Sequence, residues 1–255
     1  MKKLFLNKYF LSIVGIAFFF VLWISIYYLA GQSQYVFPSP IDTFKQMFIY
    51  LGDSYVYKCI WGSLRRMLTA FSISSVLAIL LGVVVGNFTE LKYVFNPTII
   101  AIKAIPTAAL IFLFLTLAGF SQTPMCIVGI IVFPIVYEAT VAGYRSIDQY
   151  VLMSSRIDGA SRVRSNIFVR FPLSFPTIAL GLISSFALSF KIEIMAEVIA
   201  STSKDIGLGR AIQYSYLNST NGLISTFAYS LIAIIVMLII TAIFDLAKKA
   251  FKLKA

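Results

Sequence analysis

The chain has 255 residues, of which 60% are hydrophobic and only 12% are charged, and its mean hydropathy is +0.91. This composition excludes an ordinary water-soluble domain and predicts an all-α, polytopic integral membrane protein. The formal net charge of +11 does not indicate nucleic-acid binding, because the basic residues lie between apolar runs and at the chain ends. Membrane topology and contact with anionic lipid account for basic residues in those places.

The residue types that usually carry catalysis or bind metals are scarce. The chain has no histidine, and Cys59 and Cys126 stand too far apart for a familiar zinc or haem spacing, so we predict no metal and no cofactor in this chain. Two independent apolar thiols are the preferred interpretation, and a disulfide stays open. A phosphate-binding G-x-x-x-x-G-K-[ST] loop, a nucleophile elbow and H-E-x-x-H do not occur. We therefore predict a non-enzyme whose energy, if it uses any, comes from a partner.

The first predicted element is a membrane span from about residue 10 to residue 30. Lys2, Lys3 and Lys8 precede it, and its length of about 20 residues is enough to cross the hydrocarbon core. The basic flank predicts that the span starts on the cytoplasmic side. A cleaved signal peptide is the alternative, but its apolar region would usually have only about 7 to 15 residues.

A segment of mixed composition follows, from residue 32 to residue 62. Phe44, Phe48 and Leu51 recur at helical spacing, which predicts an amphipathic helix at the outer membrane surface. Ser39-Pro40 is a typical helix start, because proline suits the first turn and serine can cap exposed amides.

Two further spans are predicted before residue 119. Arg65 and Arg66 are expected to introduce the second span, which ends near Gly86, and Gly82 with Gly86 forms a small-residue face for close helix packing. The third span runs from about 95 to 118, and Pro106 is expected to kink it.

Three more spans complete a predicted total of six. A tight outer turn at 119–123 leads to a fourth span of about 124–143, which contains Pro134. The fifth span covers about 175–200, and the sixth ends near Leu246 after a second mixed outer segment. With both termini in the cytoplasm, most basic residues face inward, as the positive-inside rule requires.

Five ionisable residues fall within the predicted spans and are functional candidates because charge is costly in a bilayer: Lys103, Glu138, Lys191, Glu193 and Glu197. Pairing between helices and snorkelling are the structural alternatives. Glu193 and Glu197 share a helix face at spacing i, i+4, whereas Lys191 does not. Lys103 and Glu138 lie at similar depths on consecutive antiparallel spans, so we predict a contact between them. The alternative is that each faces water on its own and acts independently.

The longest stretch that a bilayer could not hold runs from Met153 to Pro172. Its arginines are opposed only by Asp158, and apolar side chains are interleaved among them. The pattern predicts a short helix, a turn at Gly159 and a second helix. Such a basic, partly apolar loop is typical of a surface that contacts a partner.

This stretch resembles the cytoplasmic EAA signature of binding-protein-dependent ABC importer permeases. That signature reads E-A-A, three residues, Gly, nine residues, then I-x-L-P. In this chain Gly159 takes the glycine, and V-R-F-P at 169–172 takes the I-x-L-P. Met153, Ser154 and Ser155 stand where Glu, Ala and Ala are usual.

Five further pieces look like the nitrate, sulfonate and taurine branch of that family, and they occur in the expected order. They are F-P-S-P at 37–40, S-L-R-R at 63–66, K-A-I-P-T-A-A-L at 103–110, F-P-I-V-Y-E-A-T-V-A-G-Y-R-S-I-D at 133–148 and I-G-L-G at 206–209.

The resemblance implies one permease domain with a core of about 60–247, an extra N-terminal span and a coupling loop of about 149–172. It also implies a bacterial inner-membrane location, a second copy of this permease, two cytoplasmic ATPase subunits that bind ATP and Mg, and an extracytoplasmic solute-binding protein. Nitrate, sulfonates, taurine and pyrimidine precursors of thiamine all stay open as substrates. The residues implied to form the coupling loop are Ser154, Ser155, Arg156, Asp158, Gly159, Ala160, Arg162, Arg164 and Pro172.

Two other classes of protein stay open. The coupling subunit of a vitamin uptake system also binds ATPases, but it usually has two arginine-containing motifs, and this chain has one such loop. An ion-coupled secondary carrier would suit the intramembrane charges, although such folds commonly show internal repeats, which we do not find in this sequence.

Overall fold

The structure is a computed structural model that describes residues 8–33, 36–157, 160–200, 202, 205–219 and 222–250. Within these residues the chain forms helices and connecting turns without a strand, so the predicted all-α class is confirmed for them. The elements are α1 (Lys8–Leu29), α2 (Pro40–Leu51), α3 (Ser54–Asn87), α4 (Thr89–Ala104), α5 (Thr107–Leu117), α6 (Thr123–Arg145), α7 (Gln149–Ile157), α8 (Arg162–Ser165), the π-helical segment π1 (Asn166–Arg170), α9 (Phe171–Ala200), α10 (Leu208–Asn218) and α11 (Gly222–Ala250).

Five helical runs of the described residues are long and apolar enough to cross a membrane, namely α1, α3, α6, the run from Val163 to Ala200, and α11. The bent pair of α4 and α5 gives a sixth crossing if it is counted as one span. The sequence places the start of the fifth span near residue 175, whereas the helical run begins before it and continues through π1 into α9.

Arg65 and Arg66 precede the apolar stretch of the second span, but they do not begin the helix, because both residues lie well inside α3. This helix begins at Ser54, where the Asp53 side chain accepts a hydrogen bond of 2.8 Å from the Tyr55 amide and so caps the first turn. Its 34 residues correspond to about 51 Å, which exceeds the roughly 30 Å of a hydrocarbon core. Helix α3 therefore continues beyond the apolar stretch that marked the span in the sequence.

Helix α2 begins at Pro40, as predicted, but Ser39 makes no side-chain cap. Instead, the Ser39 carbonyl accepts a hydrogen bond of 2.8 Å from the Thr43 hydroxyl. Helix α1 packs near α2 and α11 through Trp23, whose indole lies by Phe44 and Phe227. The Trp23 indole N–H also donates to the Pro38 carbonyl at 3.1 Å, which satisfies its polar group.

Pro106 does not kink a continuous third span; it separates α4 from α5, whose axes differ by 98°. Ile105 adopts an extended conformation with φ −73° and ψ 128°, as the residue before a proline prefers. Pro106 is also extended, with φ −57° and ψ 130°, and α5 starts immediately after it. Two successive extended residues are enough to turn the chain through a right angle.

The core is organised around α6, which packs against α3 on one side and α9 on the other. A Cβ atom on Gly82 would lie 2.6 Å from the Thr140 Cβ, and one on Gly86 would lie 2.6 Å from the Tyr144 Cβ. The close approach predicted for these two glycines is therefore present, and it joins helices of the same chain. Helix α6 runs unbroken through Pro134, which is buried in this packing.

A second apolar cluster joins α2, α3, α9, α10 and α11 and includes the fully buried Met67, Phe190 and Leu208. Cys59 lies buried in this cluster, and Cys126 is partly buried on α6. Both are free thiols, so the interpretation as two independent cysteines is confirmed.

Candidate functional site

The first candidate site is a buried ion cluster formed by Ser63, Arg66, Glu193 and Glu197. The Arg66 Nε donates to Glu193 Oε1 at 3.2 Å, and the Arg66 Nη2 donates to Glu197 Oε1. The two glutamates are 0% and 1% exposed. Buried charges need partners of opposite charge, and α3 supplies the guanidinium to two carboxylates of α9.

The buried ion cluster also holds the chain that follows α9. The Arg66 Nη2 donates to the Ile206 carbonyl at 3.0 Å, and the Ser63 hydroxyl accepts from the Leu208 amide at 2.9 Å. The Gly209 amide donates to Glu197 Oε2 at 2.8 Å, and that oxygen also accepts from the Ser63 hydroxyl at 2.8 Å. The cluster thus joins α3, α9 and the start of α10.

The two glycines of I-G-L-G are required for space. A Cβ atom on Gly207 would lie 2.5 Å from Arg66 Nη2 and 2.6 Å from both Glu197 carboxylate oxygens. A Cβ atom on Gly209 would lie 2.5 Å from the Ile194 carbonyl oxygen. Gly207 lies at the N-cap of α10, and Leu208 and Gly209 form the first turn of that helix, so the protein's own polar groups surround both glycines.

The sequence predicts the shared face of Glu193 and Glu197, and both do reach the same guanidinium. Lys191 points elsewhere and is exposed. The sequence did not predict Arg66 and Ser63 as their partners, because Arg66 was assigned to a segment outside the span. The signal that could have found them is S-L-R-R itself, read as part of a helix that begins at Ser54 after the Asp53 cap.

The second candidate site is the exposed ion pair of Lys103 on α4 and Glu138 on α6. The Lys103 Nζ donates to Glu138 Oε1 at 2.9 Å and to Glu138 Oε2 at 2.8 Å. The side chains are 48% and 46% exposed. The contact predicted from matching depths is present, even though the helix is interrupted at Pro106, three residues after Lys103. Beside the pair is a cavity of about 290 Å³ with Lys92, Asn96 and Arg145 in its lining.

The third candidate site is the loop of residues 149–172, which resembles the EAA signature. The predicted two helices are present as α7 and α8, and the Ser155 and Ser165 hydroxyls join them at 2.8 Å. Ser154 and Arg164 are exposed, Ala160 is partly buried, and Pro172 lies in the first turn of α9. Asp158 and Gly159 lie outside the described residues, as do the side chains of Arg156 and Arg162.

A smaller polar junction connects the turn before α6 to the turn after α9. The Ser121 hydroxyl donates to Asp205 Oδ1 at 2.7 Å, and the Thr202 amide and hydroxyl donate to Asp205 Oδ2 at 2.7 and 2.8 Å. Burial raises the pKa of the Asp205 carboxyl, but these hydrogen bonds and the Arg66 charge outweigh it, so the pKa lies below its usual value. Both turns therefore lie at the same end of the bundle.

In the described part of the chain, no three His, Cys, Asp or Glu residues come together to hold a metal ion. The polar chemistry of the described sites is ion pairing and hydrogen bonding between helices. Such groups can stabilise a helix bundle or line a path for solute.

Comparison with known proteins identifies the family. Residues 74–254 match the binding-protein-dependent transport system inner membrane component family. The chain belongs to this family and is the permease component of an ABC transporter, which makes it a multi-pass protein of the cell membrane. The family is a transport subunit and not a catalytic one.

Several relatives align with most of the chain. A probable ABC transporter permease protein of Brucella melitensis is 27% identical over 75% of this chain and 77% of its own length. The taurine transport system permease protein TauC of Escherichia coli is 24% identical over 80% of this chain and 75% of its own. The bicarbonate transport system permease protein CmpB of Synechococcus elongatus is 26% identical over 82% of this chain and 79% of its own. These relatives fit the nitrate, sulfonate and taurine branch that the sequence pieces resemble.

Proposed function

We propose that this permease forms the translocation path for a small solute of the nitrate, sulfonate, taurine or thiamine-pyrimidine-precursor type, and that the exposed ion pair of Lys103 and Glu138 lines this path. Both side chains are about half exposed on segments that are otherwise apolar enough to lie in a membrane. This exposure is the observation that carries the proposal.

The physical argument concerns what surrounds the pair. A charged side chain near the centre of a bilayer costs about 2.5 to 3.5 kcal/mol on insertion scales, so charged residues of spans usually face protein or a water-filled cavity. In this chain the pair is not covered by the other described helices. An aqueous path between this subunit and a second copy would provide the water and protein that these charges need.

Two relatives support a small solute. The E. coli and S. elongatus relatives are named for taurine and bicarbonate transport. These solutes differ in structure but are both small and oxyanionic. In this transporter class the solute-binding protein does most of the selecting, so we propose the class of solute rather than one compound.

The proposed assembly has two copies of this permease, two cytoplasmic ATPase subunits that bind ATP and Mg, and one extracytoplasmic solute-binding protein. We assign the 149–172 loop to the ATPase interface and both termini to the cytoplasm. An exposed arginine of this loop, Arg164, provides charge for such an interface. Charge contacts of this kind weaken as salt rises, because the screening length is only about 10 Å at 0.1 M.

Reconstitution tests the class of transporter. The permease is placed in vesicles with its ATPase and binding protein, and uptake of taurine, bicarbonate and nitrate is measured with ATP inside. We expect uptake of at least one of these solutes that stops without ATP or without the ATPase. Uptake driven by an ion gradient in the absence of the ATPase would instead identify a secondary carrier.

Thiol labelling tests the path itself. In a variant with Cys59 and Cys126 replaced by Ser, Ile100→Cys places a thiol beside the exposed ion pair, and Leu80→Cys places a matched thiol on α3. Both native residues are exposed. We expect a charged, membrane-impermeant thiol reagent to label residue 100 in the assembled complex and to leave residue 80 unlabelled. Equal labelling at both positions would remove the pair from the path.

A further inference from the structure

The side chain of Arg170, the last residue of π1, connects the 149–172 loop to two long helices. Its Nη1 donates to Asn87 Oδ1 at 2.6 Å, and Asn87 is the last residue of α3. Its guanidinium carbon lies 5.9 Å from the centre of the Tyr144 ring on α6, within range of a cation–π interaction. One side chain thus joins the loop to α3 and α6.

The backbone around Arg170 explains how the side chain reaches this position. The Phe171 amide bonds to the Asn166 carbonyl, five residues earlier, so this turn is wider than an α-helical turn. Pro172 lacks an amide hydrogen, and its ring would crowd the carbonyl four residues before it, which favours such a widening. One extra residue in a turn rotates the following helix by about 100° relative to a continuous α-helix. π-helical turns of this kind are frequent at functional sites.

Asn87 is itself held in place. Its Nδ2 donates to the Val83 carbonyl at 2.8 Å within α3, so the oxygen that accepts from Arg170 has a fixed direction. Gly86, the residue before Asn87, packs directly against Tyr144, which prevents the end of α3 from moving independently of α6. A displacement transmitted to Asn87 is therefore transmitted to both helices.

The surroundings of Arg170 are loosely packed. A cavity of about 280 Å³ lies between the loop and the α3–α4 corner, with Leu152, Phe88 and Asn166 in its lining. The Asn166 Oδ1 is buried beside it and accepts no hydrogen bond from the described residues. Interlocking side chains therefore do not fill this junction, so the specific polar contacts of Arg170 determine how the loop sits on α3.

We infer that Arg170 is a positioning residue that transmits movement of the 149–172 loop to α3 and α6. This inference rests on the proposed function, in which an ATPase binds that loop. Helix α3 bonds to the loop at Asn87 and to the buried ion cluster at Arg66, so movement at one end reaches the other as a rigid rotation or shift. The Arg170 contact can transmit movement only if the loop and the two helices that it joins move together.

The test compares uptake with ATP hydrolysis in the reconstituted complex of permease, ATPase and binding protein. Arg170→Gln removes the charge and shortens the side chain, and Arg170→Lys keeps the charge. Arg65→Gln is the matched control, because Arg65 lies on α3 with an exposed side chain. We expect Arg170→Gln to lower solute uptake per ATP hydrolysed at least 10-fold. Arg170→Lys should recover part of that loss, and Arg65→Gln should behave as the unsubstituted protein.

A double variant sharpens the test. If Arg170 acts through Asn87, Arg170→Gln combined with Asn87→Ala should be no worse than Arg170→Gln alone in uptake per ATP. An unchanged ratio of uptake to hydrolysis in Arg170→Gln would overturn the inference. A parallel fall in uptake, hydrolysis and thermal stability would also overturn it, because it would show a merely structural role. If the unsubstituted permease binds no ATPase, the proposed function itself fails.

Discussion

The two ion-pair sites of this permease use the same chemistry in opposite surroundings. In the buried ion cluster, Arg66 faces two carboxylates that are almost fully excluded from solvent, and backbone amides supply further hydrogen bonds. In the exposed ion pair, Lys103 and Glu138 bond to each other, and each is about half exposed. Separating the buried ions would leave a charge without water, whereas each exposed ion can be rehydrated.

This difference predicts different mechanical roles for the two sites. The buried cluster joins α3, α9 and the start of α10 into a unit that is costly to open. The exposed pair joins α4 to α6 at a position where opening costs little. A transporter needs both kinds of contact. Its path opens and closes when groups of helices move relative to one another, and each group must keep its internal packing during the movement.

The largest expected effect follows from removing Arg66. Arg66→Ala leaves Glu193 and Glu197 buried without a cation, and breaking a buried pair in this way costs about 3 to 5 kcal/mol. We expect a large fall in folded yield and in the thermal unfolding temperature in detergent. Lys191→Ala, on the exposed face of α9, is the control and should change neither. Wild-type stability of Arg66→Ala would show that the buried cluster does not fasten the bundle.

The next effect tests the space at the start of α10. Gly209→Ala places a methyl group against the Ile194 carbonyl, and overpacking of this kind costs about 1 to 3 kcal/mol. Thermal unfolding in detergent measures the loss. Gly129→Ala is the matched control, since a Cβ atom there meets nothing within 4 Å. Equal stability of the two variants would contradict the tight packing of I-G-L-G on Glu197.

The exposed ion pair should affect stability less and transport more. Lys103→Ala and Glu138→Ala are each expected to cost about 0.2 to 1 kcal/mol of stability, as for other solvent-facing pairs. Each single change should lower uptake, and the double change should be no worse than the poorer single one. The exchanged variant, Lys103→Glu with Glu138→Lys, should recover part of the uptake. Strict additivity would mean that the two residues act independently.

The smallest effect concerns Asp205. Because its pKa is lowered in the folded protein, the carboxylate contributes stability above its unfolded pKa of about 3.9, and this contribution is lost as pH falls through the lower folded value. Asp205→Asn should therefore lower the unfolding temperature slightly at pH 6 and not at pH 2.5. Ser121→Ala should show part of the same pattern, because it removes one of the donors. A pH-independent difference would point to lost hydrogen bonding without a contribution from ionisation.

Local sequence patterns predicted the parts of the structure that depend on local spacing. The lengths of the apolar runs predicted the helical class. The spacing of four residues placed Glu193 and Glu197 on one helix face. Counting residues from the helix ends predicted that Lys103 and Glu138 lie at the same depth in the membrane. The partner of the two glutamates was not predictable in this way. It depends on Asp53 starting α3 early, which carries Arg66 into the bundle, and on packing between helices far apart in sequence.

Local reasoning located the bend at Pro106 but did not predict its size. Pro97, Pro134 and Pro176 all lie within continuous helices, whereas Pro106 separates two helices. The chemistry of the ring is the same in each case. Whether the chain bends slightly or turns through a right angle depends on the packing of the flanking residues, which a single sequence does not show.

The right angle at Pro106 also has a consequence for the peptide groups themselves. A helix end leaves up to about four carbonyl or amide groups without intrahelical partners, and this break creates two such ends within one apolar segment. Lipid tails offer these dipoles no hydrogen bonds. The bend therefore imposes its own solvation demand on the surrounding medium, independent of any side chain. Water, a neighbouring subunit or polar groups of this chain must meet this demand even in a variant that has lost both Lys103 and Glu138, as the Leu110 amide does for the Pro106 carbonyl.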